Sequence, residues 1–367
     1  MSKIHILVDA RMADWSGVGR YETGLIRTLD AREDVALTAL VTQSSRSTLE
    51  EKGKLSNTHF VETESHPFTP EGTRELTQHY QSIGADLMHC LQYCVPSKAL
   101  PDCPLVVTIH DLIPLIVTDT MSNPLKRWIY RWKNRHALRT ASQVIVPSRS
   151  TADDIKMLFP QARVPVTVIP EASDDFGTEP IVEPSTDFPY LLAMGNTRPH
   201  KNLELLVDMI ARLHNKYTNL KLLLVGIEDT SWLFDQYKRY PELKDTIRFT
   251  GPIDDAELRG FYARALIFLC PSYYEGFGLP PLEAAAFGIP ILAARAASLP
   301  EVVGAGGSLL NAHDVDAWLN ESRRVLEDAD YAGELRERAF TRSSQFSWVY
   351  VAEATVEVYK HVLSATL

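Results

Sequence analysis

The chain has 367 residues, 45% of them hydrophobic and 23% charged, with a net charge of −10. At roughly 100–200 residues per domain that length implies two or three domains, and the ordinary globular composition excludes a disordered or collagen-like chain. The negative balance excludes a nucleic-acid binder with a wholly basic surface, and no nucleic-acid partner is expected.

Short apolar runs, rich in Val, Ile and Leu, alternate with helical patterns along the chain. In the first half the runs are Ile4–Val8, Val35–Val41, Leu87–Cys90, Leu105–Thr108, Val144–Val146 and Val166–Ile169. In the second they are Tyr190–Met194, Leu222–Val225, Ile247–Thr250, Ile267–Cys270, Ile289–Ala293 and Ser308–Leu310. Runs apolar on both faces fit parallel strands covered by helices on both sides. Helical spacing marks Val18–Leu29, Glu71–Ile83, Pro124–Arg139, Asn202–Leu213, Asp254–Ala263 and Ala317–Leu326. The alternation predicts an α/β fold of doubly wound parallel sheets. The acidic stretch EASDDFGTEPIVEPSTDF (171–188) has no period and reads as a linker, with six strands on either side. We therefore expect one Rossmann-like domain over 1–178 and another over 186–346. The segment 347–367 is expected to form a helix with one apolar face. It carries Trp348, Val351, Ala352, Val356, Tyr359 and Val362 at helical spacing.

Four cysteines, Cys90, Cys94, Cys103 and Cys270, are too few for a disulfide framework, and Cys90 and Cys94 lack the partners of a zinc site. The opening MSKIHILVDA is strand-like rather than a signal peptide, and no uncharged apolar stretch reaches the ~18 residues of a membrane span. These features predict a cytoplasmic protein.

In open α/β sheets ligands bind beyond the carboxyl ends of the strands, so the residues after each strand are the candidates. After the first strand, Gly17 and Gly19 (SGVGRY) precede or open a helix, where an anion is favoured. Glu22 occupies the third-glycine position of a dinucleotide fingerprint, and a tight turn is the ordinary use of such glycines. His110 and Asp111 directly follow the fourth strand and should project into the cleft, a structural histidine being the plain alternative. The segment GNTRPHKN ends its strand at Gly195 and then places Arg198, His200 and Lys201 on one turn before a helix, which suits a diphosphate, with a solvated basic loop as the alternative. In EGFGLPPLE, Gly276 and Gly278 form a turn and Pro280–Pro281 open a helix. Glu275 and Glu283, eight residues apart, can reach one small-molecule site and accept hydrogen bonds from sugar hydroxyls. Interaction of Glu283 with the helix dipole is the plain alternative. Pro300 and Glu301 in SLPEVVGAGG follow the next strand, before turn-forming Gly304, Gly306 and Gly307.

Taken in order, GVGRY, HDLIPL, RPHKN, EGFGLPPLE and SLPE resemble glycosyltransferase family 4, a retaining family of the GT-B fold. The opening and GNTRPHKN are similar to bacterial mannosyltransferases of surface polysaccharide and lipopolysaccharide synthesis. The resemblance implies two Rossmann-like domains facing across a cleft, the first binding a glycan or lipid-linked saccharide acceptor and the second a nucleotide-sugar donor. It also implies that the last helix crosses back to the first domain. By this resemblance Arg198 and Lys201 hold the donor diphosphate in place of a metal ion, so no metal or other cofactor is expected. Glu283 takes the ribose hydroxyls and Glu275 the donor sugar hydroxyls. Gly17 lets the diphosphate approach, and His110 contacts the sugar near the reacting carbon. Gly195, Gly276 and the backbone N–H groups of Phe277, Gly278 and Leu279 complete the donor site. Many relatives carry an arginine where this chain has Asn196, and Arg198 is the expected substitute. GDP-mannose is the favoured donor on the resemblance alone, with a UDP-sugar as the alternative. A related epimerase or phosphorylase fits EGFGLPPLE less well, and a non-catalytic scaffold is a further alternative.

One segment stands apart. KRWIYRWKNRHALR holds Lys126, Arg127, Arg131, Lys133, Arg135 and Arg139 with Trp128 and Trp132, and no acid lies between Asp119 and Asp153. The mixture suits peripheral contact with an anionic membrane, here the inner face of the plasma membrane, or a lipid-diphosphate acceptor. A domain helix with buried tryptophans is the alternative.

Overall fold

The computed structural model describes residues 3–98, 100, 103–173, 176, 181–184, 186–226 and 230–365. The chain divides into two units, 1–172 with 347–367, and 173–346. The first contains strands β1 (Ile4–Asp9), β2 (Val35–Val41), β3 (His59–Glu62), β4 (Leu87–Cys90), β5 (Leu105–Thr108), β6 (Gln143–Val146) and β7 (Val166–Val168). Among the described residues these form one seven-stranded sheet in the order β3-β2-β1-β4-β5-β6-β7, with every pairing parallel. Helices α1 (Ser16–Asp30), α2 (Gln43–Gly53), α3 (Pro70–Ile83), α4 (Ile113–Ile116), α5 (Pro124–Thr140) and α6 (Arg149–Leu158) connect the strands. Several start as local chemistry dictates. Thr69 and Asn123 cap α3 and α5, each followed by a proline, the residue whose missing N–H costs nothing there.

The sequence-based expectation of six strands is corrected to seven in this unit. The additional strand is β3, a four-residue edge strand whose side chains are all partly or fully exposed, so it carries no apolar run to read. The central strands, by contrast, are buried on both faces, as in LMHC and LVVT.

The second unit contains β8 (Tyr190–Met194), β9 (Lys221–Val225), β10 (Ile247–Phe249), β11 (Ile267–Cys270), β12 (Ile291–Ala294) and β13 (Ser308–Leu310). They form a parallel sheet in the order β10-β9-β8-β11-β12-β13. Its helices are α7 (Leu203–His214), α8 (Thr230–Arg239), α9 (Asp255–Arg264), α10 (Leu279–Ala286), α11 (Leu299–Val303), α12 (Val315–Glu327) and α13 (Ala329–Ser343). One continuous core of Leu, Ile, Val and aromatic side chains fills the unit, with Trp318 and Tyr262 fully buried.

The acidic stretch 171–188 is shared between the units. Glu171 and Ala172 belong to the first and Ser173 onward to the second. Phe176 is buried there against Tyr262 and Phe287, and Val182 donates its N–H to the Ala256 carbonyl. The expected boundary residue 178 lies outside the described residues, as do residues 366–367 of the last segment.

The last helix, α14 (Trp348–Ser364), packs on α1 of the first unit. Its Tyr359 hydroxyl lies 2.7 Å from His89 Nδ1, His89 Nε2 lies 2.9 Å from Thr108 Oγ1, and Thr108 Oγ1 lies 3.1 Å from the Tyr21 hydroxyl. Burial, with the nearby charge of His110, pushes the His89 pKa down to about 3, so the ring is neutral. A neutral ring offers one donor and one acceptor, which suits its place in this chain of hydroxyls.

Gly24 lies under the Trp348 indole, where an added Cβ would sit 2.3 Å from Cε2. Overpacking of this kind costs about 1–3 kcal/mol. Gly24→Ala is therefore expected to lower the melting temperature by several degrees, while Gly17→Ala, whose Cβ meets nothing within 4 Å, leaves it unchanged. Equal melting temperatures for the two variants would contradict the packing of α14 on α1.

Candidate functional site

The strand order of the second unit reverses between β8 and β11, which pair directly with each other. At such a switch point the loops leaving the two strands run to opposite faces and leave a crevice at the carboxyl end of the sheet. The loop after β8 carries Gly195 to Asn202, and the loop after β11 carries Pro271 to Gly278. Here the structure brings Lys201 and Glu275 together, with Nζ 2.7 Å from Oε1. Only 15% and 13% of the two side chains are exposed. Ser272 also donates to Oε1, at 2.6 Å. Burial works against charge on Glu275, but Lys201 and Ser272 outweigh it and hold the carboxyl below its usual range.

Each neighbour of this pair has a reason to be where it is. Gly195 has φ +142°, and an added Cβ would sit 3.2 Å from Lys201 Cε, so glycine lets the lysine stem lie over the backbone. The Asn196 side chain accepts the Arg198 N–H at 3.1 Å, closing an Asx-type turn that presents Arg198 outward. Arg198 is exposed. His200 is buried and adds no cation, because burial, followed by the charge of Lys201, lowers its pKa to about 4. Asn202 adopts φ 52°, and its Nδ2 donates to the carbonyls of Pro271 at 3.1 Å and Ala312 at 2.8 Å. Tyr273 N–H donates to the His200 carbonyl at 2.7 Å. The two loops are thus tied together beneath the ion pair.

The EGFG turn is held from a third loop. The Ser298 hydroxyl, fully buried, lies 2.9 Å from the Glu275 carbonyl and 2.6 Å from that of Phe277. Gly278, at φ +113°, immediately precedes α10. Phe277 and Leu279 turn their side chains inward. Glu283, on α10, is buried, and its Oε2 accepts the Tyr262 hydroxyl at 3.0 Å. Asn202 and Ser298 stand in the RPHKN and SLPE motifs and Tyr262 outside them, and for none of the three does the sequence indicate these contacts. Their partners lie 21 to 110 residues away.

In the first unit the order reverses between β1 and β4. After β1, Arg11 and Asp9 form a buried bidentate pair, both bonds 2.7 Å, and Arg11 donates on to the carbonyls of Ser65 and Gly72. Gly17 opens onto free space, whereas Gly19 is packed, an added Cβ meeting the Ala13 carbonyl at 2.4 Å. Glu22, which stands where a dinucleotide loop has glycine, is buried and accepts the Met12 N–H. His110, after β5, touches the Leu91 carbonyl and Glu171. Among the described residues no cluster of three or more His, Cys, Asp or Glu side chains is placed to hold a metal ion. All four cysteines are free, three of them buried. No helix among the described residues is long and apolar enough to cross a membrane.

Residues 15–175 match the family model described as Glycosyltransferase Family 4, and residues 178–342 match that of Glycosyl transferases group 1. The chain is 29% identical over 276 residues to the serotype-specific mannosyltransferase WbdA of Escherichia coli, covering 71% of this chain and 34% of that protein. It thus spans about a third of the length of that relative. It is 31% identical over 289 residues to a glycogen synthase of Mycobacterium tuberculosis, covering 75% of this chain and 68% of that one. Among solved structures, sucrose-phosphate synthase from Thermosynechococcus elongatus superposes with a TM-score of 0.78 at 20% identity, over 99% of this chain and all of that one. With two parallel doubly wound sheets and these matches along its length, the chain belongs to glycosyltransferase family 4 and has the GT-B fold.

Proposed function

We propose that the chain transfers a hexose, with retention of configuration, from a nucleotide-diphospho sugar to a hydroxyl of a glycan or lipid-linked saccharide. The observation that carries this reading is the cationic loop of Arg198 and Lys201 set against Glu275 at the switch point of the second unit. Arg198 and Lys201 take the diphosphate and balance the charge that develops on it, so the reaction is proposed to need no metal. The Glu275 carboxylate accepts Lys201 and Ser272 on Oε1, and Oε2 is the oxygen proposed for the donor sugar hydroxyls. Glu283, oriented by Tyr262, is assigned to the ribose, and Gly195, Gly276 and the N–H groups of Phe277, Gly278 and Leu279 to the sugar and phosphates. In the first unit the free space at Gly17 and the ring of His110 are assigned to the reacting groups. The C1–oxygen bond to the diphosphate breaks as the acceptor oxygen bonds C1 from the same face, and the acceptor proton passes to the departing oxygen. Mannose from GDP-mannose is the favoured donor, supported by the mannosyltransferase named above.

The acceptor is proposed to lie at the cytoplasmic face of an anionic membrane. Helix α5 exposes Leu125 (64%), Trp128 (62%), Ile129 (39%) and Trp132 (53%), an unbroken stripe at helical spacing. Lys126, Arg135 and Arg139 are exposed on the same helix. Arg131 and Lys133 are spent on the carbonyls of Leu158 and Phe68. Three cations contribute about 3 kcal/mol at an anionic surface, so the apolar stripe must supply the rest. A second copy of this chain would bring like charges face to face, which disfavours it as the occupant.

Two experiments test these assignments. Arg198→Ala, at an exposed position, is expected to fold normally and lose at least about tenfold in turnover, and Lys201→Ala to lose about 10²–10³-fold. Lys201→Ala also strands a buried carboxylate, which costs stability, so the Arg198 variant is the cleaner test. Unchanged turnover in both would remove the diphosphate assignment. In vesicle co-sedimentation, the chain is expected to bind phosphatidylglycerol-containing vesicles at low salt and to release them at high salt. The Trp128→Ala/Trp132→Ala variant should bind several-fold less. No binding by the wild type at low salt would remove the membrane.

A further inference from the structure

His110 sits at the end of β5 with both ring nitrogens engaged by protein oxygens. Nε2 lies 2.9 Å from the Leu91 carbonyl and Nδ1 lies 3.1 Å from Glu171 Oε1. A carbonyl can only accept, so Nε2 carries a proton. A carboxylate can likewise only accept, so Nδ1 must carry one as well. A neutral imidazole has a single N–H and would turn a lone pair toward one of these oxygens. The imidazolium satisfies both. The same proton placed on Glu171 would also join the pair, but free imidazole is more basic than a free carboxylate by about two pH units, which favours the ring. The side chains are 15% and 6% exposed, and a carboxylate this buried needs a charged partner.

The surroundings agree. Tyr21 of α1 meets the imidazole edge-on, with ring centroids 4.8 Å apart. Thr151 of α6 donates its hydroxyl to the His110 carbonyl at 3.3 Å, and His89 of β4 lies behind Thr108 and is neutral. The charged groups acting on the ring are Glu171, on the segment following β7, and Asp111, next in the chain. Burial alone would lower the His110 pKa, but the Glu171 bond and charge, the Leu91 carbonyl and Asp111 outweigh it and leave it above the ordinary value.

We propose that Glu171 is a positioning residue that holds His110 as an imidazolium in one fixed orientation, so that the first unit carries a cation, paired with Glu171, at the end of β5. The charge follows from the geometry. Its bearing on turnover rests on the transferase reading, in which the ring of His110 is assigned to the reacting groups. Glu171 acts through His110 in this scheme.

The test is an NMR pH titration of the histidine Cε1–H signals of the full chain, with His110 assigned by its absence in His110→Gln, alongside the pH dependence of kcat. In the wild type His110 is expected to titrate above an ordinary histidine. Glu171→Gln removes the charge that favours the protonated ring. The titration and the alkaline limb of kcat should therefore both move to lower pH by about one unit or more, with Glu171→Asp restoring part of the shift. A His110 that titrates at or below the ordinary value in the wild type overturns the pairing, whether or not the variants fold. A shifted ring with an unmoved alkaline limb overturns the role given to the cation. A shifted ring in a chain without transferase activity supports the pairing and strikes the transferase reading instead.

Discussion

The second unit is organised around one ion pair. Lys201 and Glu275 leave neighbouring strands, meet at 2.7 Å and are mostly withdrawn from solvent. Two charges in such a place are stable only while both are present and hydrogen-bonded, and the surrounding residues keep them so. Asn202 and the His200 carbonyl lock the lysine loop to the glutamate loop. Ser298 locks the glutamate loop from the next strand over. The arrangement is preorganised, a requirement for a site that must meet developing charge without rearranging.

The parallel sheet dictates where this can happen. Among the described residues the strands of the unit all run the same way, so their carboxyl ends share one edge, and the crossovers change direction between β8 and β11. A lysine after β8 and a glutamate after β11 are therefore neighbours although 74 residues separate them. The first unit repeats the logic with different chemistry. Its reversal between β1 and β4 is bordered by the buried Asp9–Arg11 pair, the open space at Gly17, and Leu91, whose carbonyl takes one nitrogen of His110.

Much of this was legible in the sequence because it depends on local patterns. Buried strands announce themselves as apolar runs, and twelve of the strands, though not β3, are such runs. The motif loops follow their strands directly, so Lys201, Glu275 and His110 could be placed at strand ends without coordinates. Residues whose roles depend on distant partners were not legible. Asn202 reads as a helix start, Tyr262 falls within a helical stretch and Ser298 within SLPE, yet each ties a loop or side chain of the second unit through a hydrogen bond. Glu171 opens an acidic stretch that reads as linker, and only the fold sets it against His110, 61 residues earlier. The α5 tryptophans show the converse. Helical spacing alone allowed a buried or an exposed face, and the fold exposes it.

The crevice at β8 and β11 is proposed to bind a nucleoside diphosphate without a metal. The most direct measurement is the thermal stability of the full chain in EDTA with GDP, UDP or ADP, since a ligand that binds only the folded state raises its stability by mass action. A saturable rise is expected with one nucleotide, GDP being the favoured base, and its loss in Arg198→Ala. No rise with any nucleotide, in the presence or absence of acceptor saccharide, would contradict it.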